Sequence, residues 1–170
     1  PGLSKKWKLG LLFRQDSQID NRRLLMRALE KACVELGVQF QEGVEVIEII
    51  RDSNQFKGVK IKELNGTINS LHSSEAVLCC GAWSKKIFTT LPVFPVKGQM
   101  LSIQGPKQIL KRIVFGPGIY LVPRDDGLII VGATCERDAG FQKGLTQKGQ
   151  SELQKGIRSL VPELNQLPHM

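Results

Sequence analysis

The spacing of the apolar residues changes at Gly37, and this change limits the folds open to the chain. Before it, Leu25, Ala28, Leu29, Ala32 and Leu36 recur at three- and four-residue intervals, which gathers them on one face of a helix. The spacing predicts a helix over 21–36, with Asp20 as N-cap and Gly37 as C-cap. After it, Val38 and Phe40, then Val44, Val46 and Ile49, alternate or nearly alternate. That is the period of strands, broken near Gly43. A chain that uses both periods in turn is α+β.

Strand signals fill most of the chain beyond Ile49. Residues 58–64 and 67–71 read as a hairpin about Asn65-Gly66. The continuous apolar run Ala76, Val77, Leu78, Cys79, Cys80 reads as a buried strand stopped by Gly81. A short helix is expected over 84–89, and strands over 94–104, 113–115, 119–122 and 128–134. Gly116-Pro117-Gly118 reads as a turn, and Asp125-Asp126-Gly127 joins the last two strands in an antiparallel hairpin. Thr146 caps a final helix with Leu153, Ile157, Leu160 and Val161 on one side, ended by Pro162. The first half thus reads as a helix and strands, the second as an antiparallel sheet with a helix.

Composition narrows the function classes. With 170 residues, 41% hydrophobic, the chain suits one domain or two pieces of a larger one, and is too apolar to be disordered. Its apolar runs are too short to span a bilayer, and the basic start leads into no long apolar region, so neither a membrane span nor a secretory signal is expected. Cys33, Cys79, Cys80 and Cys135 fit no metal spacing and read as small buried thiols in a reducing, cytoplasmic compartment. Two histidines, His72 and His169, leave little material for a metal site or a Ser-His triad. The net charge of +8 gathers partly in Lys5, Lys6, Lys8, Arg14, Arg22, Arg23, Arg27 and Lys31. Apart from Trp7 and Phe13 no aromatics interleave with these, so a solvated basic face is expected rather than a nucleic-acid or membrane partner. A non-enzymatic basic α+β binding module stays open as an alternative.

Three stretches, taken in order, carry more. The first runs from Ile19-Asp20-Asn21-Arg22-Arg23 through Leu36-Gly37-Val38 to Val44-Glu45-Val46. The second is Val77-Leu78-Cys79-Cys80-Gly81-Ala82-Trp83-Ser84. The third is Pro92-Val93-Phe94-Pro95-Val96-Lys97-Gly98-Gln99-Met100, followed by Tyr120-Leu121-Val122-Pro123-Arg124 and Gly132-Ala133-Thr134. In this order and spacing the chain resembles the FAD-dependent D-amino-acid oxidase superfamily, and within it the ThiO-like glycine oxidases of thiamine biosynthesis, cyanobacterial type.

The resemblance implies the rear part of a Rossmann-like FAD domain joined to an antiparallel substrate-domain sheet with a helix. Residues 1–19 would enter the substrate domain, 20–90 would belong to the FAD-binding domain and 91–170 to the substrate-binding domain. The family's Gly-rich turn, its Gly-Leu-Arg-Pro motif and the arginine that clamps substrate have no match here, so an internal fragment, inactive alone, is expected. FAD is the implied cofactor. Val46 would read the adenine through its main chain, and Gly81, Ala82 and Trp83 would lie beside the flavin. Tyr120 would offer its phenol to the substrate carboxylate, with Cys135 as a pocket wall. No catalytic acid or base and no metal is implied. As plain structure the same residues are a core strand valine, a strand-ending glycine beside a core tryptophan, a half-buried sheet tyrosine and a buried cysteine. Lys97 and Arg124 read as positioning or surface charges, and Gln99 as a residue within reach of the pocket. The implied reaction is oxidation of glycine or a related small amino acid to its imine, with peroxide release, for the thiamine thiazole. A sarcosine or other amino-acid oxidase is the alternative within the superfamily. A thiazole synthase, as partner or fused domain, and self-association into a homo-oligomer complete the expected partners.

Overall fold

A computed structural model describes residues 2–19 and 21–169. The chain divides into two compact units, Asn21–Pro95 and the combination of Pro1–Asp20 with Val96–Met170.

In the unit Asn21–Pro95, helix α1 (Arg22–Glu35) begins at Asn21, whose side chain accepts from the N–H groups of Arg23 and Leu24, both at 3.1 Å. Asp20, expected as the cap, lies outside the described residues. After α1 come β1 (Val44–Asp52), β2 (Gln55–Glu63) and β3 (Ile68–His72), an antiparallel sheet in the order β1-β2-β3. The single-turn helix α2 (Ser84–Ile87) comes next. Ser53 and Asn54 take φ of 47° and 69°, the left-handed pair that matches the twist of a two-residue hairpin. One sheet face gathers Val46, Ile49, Val59 and Ile61 by register, and Ile61 is buried. The opposite face carries charge, including a Lys60–Glu48 ion pair at 2.8 Å.

Three expectations for this unit need correction. The apolar stripe of α1 buries no residue, because among the described residues no other element packs on it extensively. Residues 76–80 form no strand and are exposed, Val77 at 88%. An apolar run is buried as a strand only when neighbouring strands pair both its edges, and among the described residues none does. Val38 and Phe40 likewise alternate without a partner strand and stay exposed.

In the other unit, β4 (Leu101–Gln104), β5 (Val114–Gly116), β6 (Ile119–Pro123) and β7 (Leu128–Gly132) form an antiparallel sheet in the order β4-β7-β6-β5. Ladder partners place Leu101, Ile103, Ile119, Leu121, Ile129 and Val131 on one face. Helix α3 (Gln147–Leu160) lays Leu153, Ile157 and Leu160 against it, forming the core with Val161 and Leu164. Thr146 caps α3 through Gly149 N at 3.1 Å. The expected strand over 94–104 shortens to β4, because Gln99 N donates to the Thr134 side chain instead of a main-chain carbonyl, which interrupts the ladder. Lys97 keeps only an isolated bridge to Glu136.

Candidate functional site

The face of the second sheet opposite α3 is built from the residues that alternate with the core. Register sets Phe115, Tyr120 and Gly132 in one row across β5, β6 and β7, and Val122, Ile130 and Ser102 in the next. Tyr120 is half-buried here. Its ring lies 6.0 Å from that of Phe115, tilted by 50°. On its other side it fills the space over Gly132, where a Cβ would stand 2.6 Å from Tyr120 Cε2 and closer still to the hydroxyl. Among the described residues nothing hydrogen-bonds that hydroxyl. The ring thus lies between Phe115 and Gly132, and its polar end has no hydrogen-bond partner among the described residues.

Beyond Gly132 the chain runs antiparallel to 97–99, held at both ends. Thr134 N donates to Gln99 O at 3.1 Å, Gln99 N to Thr134 Oγ1 at 2.9 Å, and Glu136 N to Lys97 O at 2.8 Å. Side chains close the same seam. The Gln99 carboxamide donates to Glu136 Oε1 and to Thr146 Oγ1, and accepts from Thr146 N at 2.7 Å. Thr134 Oγ1 donates to Glu136 Oε1 at 2.7 Å. Gln99 is 3% and Thr134 8% exposed, so these polar groups are buried and satisfied. Hydrogen bonds from Thr134, then Gln99, hold the Glu136 carboxyl below its usual range. Cys135, between Thr134 and Glu136, is exposed. A cavity of about 170 Å³ lined by Leu101, Leu153, Gln154 and His169 reaches Gln99, whereas Tyr120 and Cys135 do not line it.

Sequence reasoning gave Gln99 a place by the pocket and missed Thr134, Glu136 and Thr146 as its partners. It treated Cys79, Cys80 and Cys135 as buried, and all three are exposed. Lys97 meets Glu136 through its main chain, and Arg124 reaches the entering segment. Arg124 Nη1 donates to Ile19 O at 2.9 Å, while Gln18 Nε2 donates to Pro123 O at 2.9 Å.

Val46 and the stretch Gly81–Trp83 lie together in the unit Asn21–Pro95, and Tyr120 and Cys135 lie in the other. Val46 sits on β1, at the sheet's edge, with a bulge directly after it. An edge strand keeps a row of main-chain N–H and C=O groups outside its ladder, and bulges re-aim such groups. Gly81 opens a 3-10 turn, Gly81–Trp83, that leads into α2, which packs on β1. Its φ of 50° suits glycine, and nothing lies within 4 Å of where a Cβ would stand. Ala82 is half-buried and Trp83 is 54% exposed. Open main chain at Gly81, an exposed indole beside it and the free edge at Val46 all fit the implied flavin nucleotide.

Among the described residues no helix is long and apolar enough to cross a membrane, and no group of three His, Cys, Asp or Glu side chains is placed to hold a metal ion. A bifunctional protein ThiO/ThiG of Synechocystis sp. is 41% identical over 170 residues, covering 96% of this chain and 24% of that protein. A glycine oxidase of Pseudomonas aeruginosa is 31% identical, covering 96% of this chain and 44% of that protein. The chain therefore spans from about a quarter to under half the length of these relatives. The crystal structure of glycine oxidase from Geobacillus kaustophilus superposes with a TM-score of 0.71 at 27% identity, over 86% of this chain and 39% of that one. The profile described as FAD dependent oxidoreductase, DAO, matches residues 1–169. On that match the chain belongs to the FAD dependent oxidoreductase family.

Proposed function

We propose that the chain is the central part of an FAD-dependent oxidase of glycine or a related small amino acid. The unit Asn21–Pro95 would contribute the part of the FAD-binding domain expected over 20–90. Residues 91–170, entered through 1–19, would form the substrate-binding part. FAD, when bound, supplies the acceptor for the hydride leaving the amine's Cα, and passage of the two electrons to oxygen yields hydrogen peroxide beside the imine. The chain's own residues would bind and orient. The main chain at Val46 would pair with the adenine. Gly81 would let the backbone approach the flavin closely, with Ala82 and Trp83 as its wall. Tyr120 would donate from its hydroxyl to the substrate carboxylate, a charge-assisted bond that anchors the substrate. Cys135 would close the pocket with a small neutral side chain.

Tyr120 carries this reading. A phenol held by its ring and free at its oxygen, on an open sheet face, is arranged to receive a ligand. The name glycine oxidase favours glycine as the amine, and the name bifunctional protein ThiO/ThiG favours a fused second function, for which the resemblance implies a thiazole synthase, fused or as a partner. A homo-oligomer and a cytoplasmic setting belong to the same proposal.

The test is flavin and peroxide together. The 170-residue chain and the complete protein that contains it are each titrated with FAD, and then given glycine or sarcosine. Retained flavin and peroxide release from glycine in the complete protein, with little of either in the chain alone, are expected. Sarcosine turned over far faster than glycine would move the substrate to the neighbouring branch. Absence of flavin from both forms, with salt-sensitive binding to nucleic acid instead, would sink the oxidase in favour of a basic binding module.

A further inference from the structure

We propose that Gly132 is a positioning residue: its missing side chain is the seat of the Tyr120 ring, and through that ring it sets how tightly the site holds a carboxylate. The proposal rests on the reading of Tyr120 as a substrate contact. Gly132 is not glycine for the sake of a left-handed backbone, since its φ is not among the positive ones. What a side chain would meet there is Tyr120, whose Cζ, hydroxyl and Cε2 all crowd the place of a Cβ. The two residues are direct partners in the β6–β7 ladder, where side chains on one face touch. On the other flank, Phe115 is the partner of Tyr120 in the β5–β6 ladder, with ring contact. The phenol is thus held between an aromatic ring on one side and an empty position on the other. The core lies on the far face of the sheet, so Gly132 faces Tyr120 and not α3.

A methyl group at 132 leaves the ring two choices: a different rotamer, or a tilt toward Phe115. Either one moves the hydroxyl, because it stands at the far end of the side chain. Misplacing a positioning group by roughly 1 Å costs about 100-fold in favourable cases. The effect should fall first on binding of the carboxylate, since no residue of the hydride transfer itself is touched.

The experiment uses the complete FAD-loaded protein as wild type, Gly132→Ala, Tyr120→Phe, Tyr120→Ala and the double variant Gly132→Ala/Tyr120→Ala. Three quantities are measured: the Kd of acetate by calorimetry, KM and kcat for glycine, and the melting temperature. Gly132→Ala is expected to weaken acetate by roughly 10-fold or more, as Tyr120→Phe does. KM should rise with it while kcat falls less. In the Tyr120→Ala background, Gly132→Ala should change none of the three further, because the ring it displaces is gone. Wild-type acetate affinity in Gly132→Ala, with Tyr120→Phe impaired, overturns the proposal alone. So does an effect of Gly132→Ala that persists undiminished beside Tyr120→Ala. Wild-type values in Tyr120→Phe instead sink the reading of Tyr120. Should Gly132→Ala fail to fold, folding of the double variant supports the seat and its failure overturns it.

Discussion

Gly149, in the first turn of α3, lies against the carboxamide of Gln99: a Cβ there would stand 2.6 Å from Gln99 Cδ. A helix gains about 1 kcal/mol when an interior glycine becomes alanine. Here the methyl would push a 3%-exposed carboxamide out of its bonds to Glu136 and Thr146. Each buried group left unpaired costs about 1–3 kcal/mol, so the clash outweighs the propensity. Gly149→Ala is expected to lose roughly 2 kcal/mol in urea denaturation followed by circular dichroism. An unchanged or raised midpoint would show that the carboxamide is not wedged.

The same seam makes stability depend on pH through Glu136. Hydrogen bonds from Thr134 and Gln99 lower its folded pKa beneath the ordinary 4.5. A lowered carboxyl contributes stability that is present above its unfolded pKa and is lost as pH falls through the folded one. The wild-type urea midpoint should therefore drop between pH 6 and pH 3 by more than that of Glu136→Gln. Parallel curves for the two proteins would remove Glu136 from the account.

Local signals were legible and distant ones were not. Helix α3 was readable to its cap, since Thr146, the apolar spacing of Leu153 and Ile157 and the stop at Pro162 are all local, and its partner sheet is in the same unit. Tyr120 stood out as the single tyrosine, in an alternating strand. The period of α1 was equally clear, yet period tells which face is apolar and not what covers it. The run 76–80 failed for a related reason, as burial of a strand belongs to its neighbours. Gln99 meets Glu136 and Thr146 across 37 and 47 residues. No spacing rule links such residues, and only the fold brings them together. For Gly81 a stop was legible, but not the open space around it.

The cysteines separate the expected arrangement from the observed one. Cys79, Cys80 and Cys135 are exposed and Cys33 is half-buried, so the folded chain should react with a thiol reagent such as DTNB in two phases. Three thiols should modify quickly and Cys33 more slowly, with no denaturant needed for the fast phase. Modification of Cys79 and Cys80 only in urea would restore the buried strand over 76–80.

Trp7 closes the end of α3 from a segment more than a hundred residues away. The last carbonyls of a helix have no partner within it. Here Trp7 Nε1 donates to Ser159 O at 2.8 Å and Ser4 N to Leu160 O at 2.7 Å, while the indole packs against the core. Trp7→Phe keeps most of the packing and removes one bond to a part-buried carbonyl, which costs about 1 kcal/mol. Trp7→Ala removes the packing as well, for a loss of roughly 3 kcal/mol. Hydrogen exchange would locate the effect: protection should fall first in the last turn of α3, and the amides of β1 and β2, in the other unit, should keep theirs. Equal loss in both units would mean that the chain unfolds as one body, and the cap at Trp7 would then have no local role.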